Sequence, residues 1–184
     1  MSDNIESRLA LIPALAGQSS CGYIGRTALM KYMYFLQVLR KVPLGYRFTL
    51  YSYGPFDSDV LADLASAETL NVVKSDLATY LGGYGYKISP AERAEWIKKR
   101  ASTFISHHKE DIKWVLHTFG SYSSAELELL ATIVFVDREA KQKKERIHMN
   151  DIVKRVHEVK PHFNEDKIQT FANRLIKEKL LAHA

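Results

Sequence analysis

At 184 residues the chain holds one large domain or two small ones, with enough apolar mass for a proper core. Its 46% hydrophobic and 26% charged residues exclude a disordered chain, and no apolar run approaches the about 18 residues of a membrane span. The net charge of +5 is uneven: residues 1–90 carry 8 Lys/Arg against 7 Asp/Glu, and residues 91–184 carry 18 against 14. The basic excess that could attract nucleic acid or an acidic protein therefore sits in the second half. The single Cys21 excludes an internal disulfide, and the first residues lack the basic flank and apolar core of a signal peptide; a cytoplasmic protein with no membrane partner is expected.

In chain order, Ile5, Leu9, Ile12 and Leu15 predict a lead-in amphipathic helix over 4–15, followed by a Gly/Ser loop over 17–22. The stretch 23–64 is expected to organise the rest. It opens with a helix capped by Thr27 and running to about Arg40, apolar around most of its circumference. Pro43 and Gly45 end it. Tyr46 to Tyr53 reads as a strand, with Phe48, Leu50 and Ser52 on one face and Arg47, Thr49, Tyr51 and Tyr53 on the other. Gly54-Pro55 turns a corner, and Asp57 or Ser58 caps the next helix. Strands over 71–77 and 84–88 flank a turn at Gly82-Gly83, so helix followed by hairpin gives a winged-helix pattern.

Residues 91–119 predict a long helical run, and Gly120 breaks it. Ser123-x-x-Glu126 is a capping box for the next helix, and residues 137–146 read as a helix end plus an exposed charged loop. Asn150 caps a helix over 151–159, and Asn164 or Glu165 starts a last one reaching Leu181. This is a helix-turn-helix arrangement without a convincing wing. The expected fold is mainly α with a small β-hairpin component: two helix-turn-helix or winged-helix-like units, 1–90 and 91–184, joined by a long helix.

Candidate chemistry is sparse. Gly22-x-x-Gly25-Arg26-Thr27 lacks the Gly-Lys-Ser/Thr ending of a phosphate loop, and Asp57, Asp59 and Asp63 are explained by capping and solvation without a metal. The histidines show no metal-ligand spacing, and no nucleophile or dinucleotide motif occurs. No catalytic residue, metal or cofactor is expected, and the chain is read as a non-enzyme. Two surfaces remain. The aromatic cluster of Tyr46, Tyr51, Tyr53 and Phe56 is core or, on its outward tyrosines, a contact surface for a protein partner or a second copy of the chain. The basic set Arg138, Lys141, Lys143, Lys144, Arg146, Lys154, Arg155 and Lys160, with Lys167 on the last helix, surrounds the second helix-turn-helix and is suited to phosphates or to a solvated charged loop.

The order Lys31-Tyr-Met-Tyr-Phe-Leu-Gln37, then Phe48-Thr-Leu-Tyr-Ser-Tyr-Gly-Pro-Phe56, then a helix and hairpin resembles the bacterial YwgA-like family, related to the SocA antitoxin or Panacea domain. The resemblance covers residues 20–90, with Tyr53 where Panacea domains usually carry tryptophan. It implies an α-rich, non-enzymatic domain that binds another protein, either neutralising a toxin or acting as an adaptor that delivers proteins for degradation, with a toxin or a regulatory protein as the expected partner. A winged-helix DNA-binding regulator is the alternative function.

Overall fold

The computed structural model describes residues 2–80 and 83–182. The chain is mainly α-helical with two small antiparallel strand pairs, an α+β fold. Helices α1 (Ser2–Gln18) and α2 (Arg26–Leu39) come first, then the strand pair β1 (Thr49–Tyr51) and β2 (Gly54–Phe56). Helix α3 (Ser58–Thr69) and the longer pair β3 (Val73–Tyr80) and β4 (Gly83–Pro90) follow. Six helices complete the order: α4 (Ala94–Arg100), α5 (Ser102–His107), α6 (Lys109–Phe119), α7 (Ser124–Gln142), α8 (Met149–Val159) and α9 (Glu165–Lys177). Among the described residues no single helix is long and apolar enough to cross a membrane.

Two compact units result: Met1–Phe48 with Asp57–Ser124, and Thr49–Phe56 with Ala125–Ala184. The division expected at residue 90 falls at 124 instead, because α4, α5 and α6 pack on α1. The lead-in helix is thus the centre of its unit. Leu9 to Ala16 is an unbroken apolar run, buried on every side, with Pro13 inside it. A stripe at spacings of three and four captures only Leu9, Ile12 and Leu15 of that run. The expected long helix over 91–119 is three short ones, broken where the backbone opens at Ala101 and His108. Each break redirects the chain, so that Ile97, Ala101, Ile112, Val115 and Phe119 all reach the core.

Several polar contacts fix this first unit. Gln37 holds Tyr46 by its backbone: its Nε2 donates to the Tyr46 carbonyl at 2.8 Å and its Oε1 accepts the Tyr46 N–H at 2.9 Å. A side-chain amide here plays the part of a neighbouring strand for an extended segment that has none. The Arg8 guanidinium reaches both oxygens of Asp63, at 2.9 and 3.2 Å, and the Tyr46 hydroxyl donates to Asp63 at 2.7 Å. Burial pushes the Asp63 carboxyl above its ordinary range, against the opposing pull of Tyr46 and Arg8. Burial also pushes the Tyr46 hydroxyl far up, and the Asp63 charge adds to the shift. Phe35 stacks on Phe119 at 3.9 Å between ring centres, and Arg40 pairs with Asp111 at 2.7 Å to tie α2 to α6. Strand β4 is anchored by reciprocal bonds between Ile24 and Ile88.

Local starts and stops differ from the sequence reading in instructive ways. Gly25, not Thr27, precedes α2, and α1 runs on through Gly17. Asp57 caps α3 by accepting the Asp59 N–H at 2.8 Å, and it also accepts the Arg47 N–H, closing the chain across the 49–56 excursion. Strands β3 and β4 run from Val73 and up to Pro90, so Gly83 belongs to a strand, whereas Gly82 of the expected turn lies outside the described residues. In the second unit α7 extends to Gln142, well into the expected charged loop, and Asp137 is fully buried, accepting the Ala182 N–H at 2.7 Å. Helix α8 is capped by His148 and Asp151 in a reciprocal box rather than by Asn150, whereas Asn164 caps α9 through the Lys167 N–H. Helix α9 ends at Lys177, four residues earlier than the sequence pattern suggests.

Asp63→Ala leaves the largely buried Arg8 charge without its partner and is expected to cost about 3 kcal/mol, whereas Tyr46→Phe, removing one bond to a charged acceptor, costs about 1.5 kcal/mol. Urea unfolding measures both, and a loss below about 0.5 kcal/mol for Asp63→Ala contradicts a structural role for the network. Asp111 behaves oppositely to Asp63. Burial disfavours its charge, but the hydrogen bonds from His108 and Arg40 prevail and hold its carboxyl below the ordinary range. The unfolded chain then binds the proton more tightly, so this contribution is present above the ordinary carboxyl pKa and is lost as pH falls through the folded value. The stability gap between wild type and Asp111→Asn is expected to narrow from about pH 6 to about pH 2.5, and a constant gap refutes the assignment.

Candidate interaction surfaces

The expected strand over 46–53 is shorter than the pattern suggests. Residues 42–48 alternate inward and outward and pair with no strand among the described residues, burying Val42, Leu44 and Tyr46. Only Thr49–Tyr51 pairs, and its partner is the Gly54-Pro55-Phe56 segment: Leu50 lies opposite Pro55 and Tyr51 opposite Gly54. The expected corner is therefore the returning strand of a tight hairpin. Gly54, at φ +83, takes the left-handed backbone that lets the chain return after Ser52-Tyr53.

This geometry divides the aromatic candidates. Tyr46 belongs to the first unit, is 5% exposed and spends its hydroxyl on Asp63, so it is removed from any contact surface. Tyr51 and Tyr53 stand on the hairpin of the second unit at 66% and 73% exposure. Phe56 is half-buried, with its ring 5.7 Å from that of Tyr51, so it supports the tyrosine from behind.

What holds this hairpin is Lys160, a residue that the sequence assigns only to a charged surface. It is 2% exposed. Its ammonium donates to the carbonyls of Ser52 and Tyr51 and pairs with the buried Glu128 at 2.8 Å. An ammonium has three hydrogens, and three acceptors surround it. His162 lies 3.6 Å from the same Glu128 oxygen. Pro161, immediately after Lys160, forces the chain out of α8 at this point and leaves the lysine at the helix end, facing the hairpin. No periodicity announces this contact, because Ser52 and Lys160 are 108 residues apart.

The basic candidates lie on α7, its following loop, α8 and α9. Lys143 and Arg155 are engaged with Glu139 and Glu145 at 3.0 and 2.6 Å. Such exposed pairs contribute under about 1 kcal/mol and leave the cations available to a phosphate. Lys141, Lys144, Arg146 and Lys154 are exposed and form no ion pair among the described residues. Lys167 is exposed on α9, with its ammonium over the Phe163 and Phe171 rings at 5.5 and 5.9 Å. Helices α8 and α9 pack together, and His157 Nδ1 donates to the Phe163 carbonyl at 2.8 Å, fixing the turn between them. The first turn of α9 nevertheless carries Glu165 and Asp166. Two carboxylates at a helix start oppose a phosphate there.

Lys160→Met leaves the buried Glu128 without its ammonium partner and is expected to cost about 3 kcal/mol, while Lys160→Met with Glu128→Leu recovers most of the loss. Amide exchange at 51–53 should quicken in the single variant. Unchanged exchange there disproves the anchoring role. Among known proteins, no family profile and no curated sequence matches the chain.

Proposed function

We propose that the chain is a non-enzymatic bacterial protein-interaction module, antitoxin- or adaptor-like, acting in stress or defence. The observation that carries this reading is the exposed pair Tyr51 and Tyr53 on a hairpin whose backbone is pinned by Lys160. Tyrosine gives a large contact area with few torsions to freeze, and a held backbone removes much of the ordering cost of binding. The resemblance of residues 20–90 to YwgA-like and Panacea domains supports the same class, with a toxin or a regulatory protein as the partner.

A second reading, a DNA-binding regulator, is favoured by the exposed cations Lys141, Lys144, Arg146 and Lys154 beside α8 and α9. The acidic first turn of α9 weighs against that helix as the reading element.

Affinity purification of the tagged chain with and without nuclease separates the two. The first reading expects one stoichiometric protein partner in both halves. Tyr51→Ala and Tyr53→Ala should each weaken that partner about 30-fold, the size of a 2 kcal/mol hot spot. Their own stability should shift by no more than about 0.5 kcal/mol. A partner retained at full affinity by both variants counts against the hairpin. Nucleic acid recovered alone, and lost with Lys144→Glu and Arg146→Glu, establishes the second reading in its place.

A further inference from the structure

The first unit contains a cleft of about 440 Å³ among α1, α4, α5 and the start of α6, within the size range of small-ligand sites. Ala101 and Phe104 supply an apolar wall, and Arg100, Thr103 and the adjacent His107 and His108 supply polar groups. His108 is 9% exposed, and its Nδ1 lies 2.9 Å from Asp111. Asp111 is in turn held by the Arg40 guanidinium. An ionised carboxylate accepts only, so Nδ1 carries the hydrogen and the lone pair of neutral His108 is on Nε2. That nitrogen makes no hydrogen bond to the described residues and is the ring atom left for the cleft. On the rim, Arg100 gives both its Nε–H, at 3.0 Å, and an Nη2–H to a single oxygen of Glu6. The pair is half-exposed at Arg100 and about a third exposed at Glu6, so solvent and a competing anion reach the guanidinium.

We propose that this cleft binds a small phosphomonoester, whose phosphoryl group replaces Glu6 on Arg100 and shares a proton with His108 Nε2. The site is independent of the tyrosine hairpin and of the function proposed for it. A free carboxylate would have to displace its equal, Glu6, which the chain holds at high local concentration. A phosphoryl group carries about twice the charge and presents three acceptor oxygens to the guanidinium and to the Thr103 hydroxyl. The remaining volume beside Phe104 accommodates the organic portion. A phosphoryl oxygen and the Nε2 lone pair can share one hydrogen, whichever of the two groups brings it. The other charges facing the site are Glu6 from α1, Arg100 from α4, His107 from α5 and, behind His108, Asp111 from α6 with Arg40 from α2.

The test uses the full chain and three probes, AMP, inorganic phosphate and adenosine, with calorimetry and histidine ring resonances as readouts. AMP and phosphate are expected to bind saturably and to move the His108 resonances, and adenosine to do neither. Arg100→Gln should weaken AMP at least about 30-fold, and His108→Asn about tenfold. Glu6→Gln, which removes the resident anion from a partly exposed position, should tighten AMP several-fold, a gain that misfolding cannot imitate. The proposal is overturned by absence of phosphate-dependent binding, by adenosine binding as well as AMP, or by Glu6→Gln leaving the affinity unchanged.

Discussion

An ammonium removed from water has to find three acceptors, and in the second unit this requirement selects the path of the chain. Lys160 finds Glu128 on α7 and two carbonyls at the tip of the β1–β2 hairpin. A two-stranded pair of three residues each has almost no stability of its own. Its order is therefore borrowed from one buried charge. Desolvating that charge and its partner costs several kcal/mol, so the arrangement gives a defined geometry rather than a large net stabilisation. A hydrophobic residue at position 160 would bury more comfortably but would leave the tip carbonyls of Tyr51 and Ser52 unsatisfied.

The first unit uses the same logic with an anion. Asp63, on α3, gathers Arg8 from α1 and the hydroxyl of Tyr46, while Gln37 from α2 pairs with the Tyr46 backbone. Tyr46 is thus gripped at both ends. The segment of Lys31 to Gln37 followed by an aromatic stretch has a physical explanation in this grip: the glutamine substitutes for the missing strand and the tyrosine closes over the core.

The class of fold was legible because composition and apolar spacing act locally: the amphipathic α8 and α9, the cap at Asn164 and the β3–β4 pair all follow from neighbours in sequence. What stayed hidden has a common cause. The central position of α1 required reading Leu9–Ala16 as buried all round, and a stripe count underweights small residues such as Ala10, Ala14 and Ala16. Tyr46 and Tyr51 look alike in the sequence, yet one is core and the other surface, a difference decided by Asp63 and Gln37 rather than by strand alternation. Lys160 and Asp137 carry charges, and charge in a mixed Lys/Glu segment predicts solvent. Their burial depends on partners far along the chain.

The interleaving of the two units has a temporal meaning. Ser52 leaves the ribosome 108 residues before Lys160. At about 5–20 residues per second, the hairpin spends roughly 5–20 s without its anchor while its host unit becomes complete. For that interval Tyr51, Tyr53 and Phe56 form an unpinned aromatic loop on a nascent chain. The completed α8, which carries Lys160 at its end, is what closes that interval.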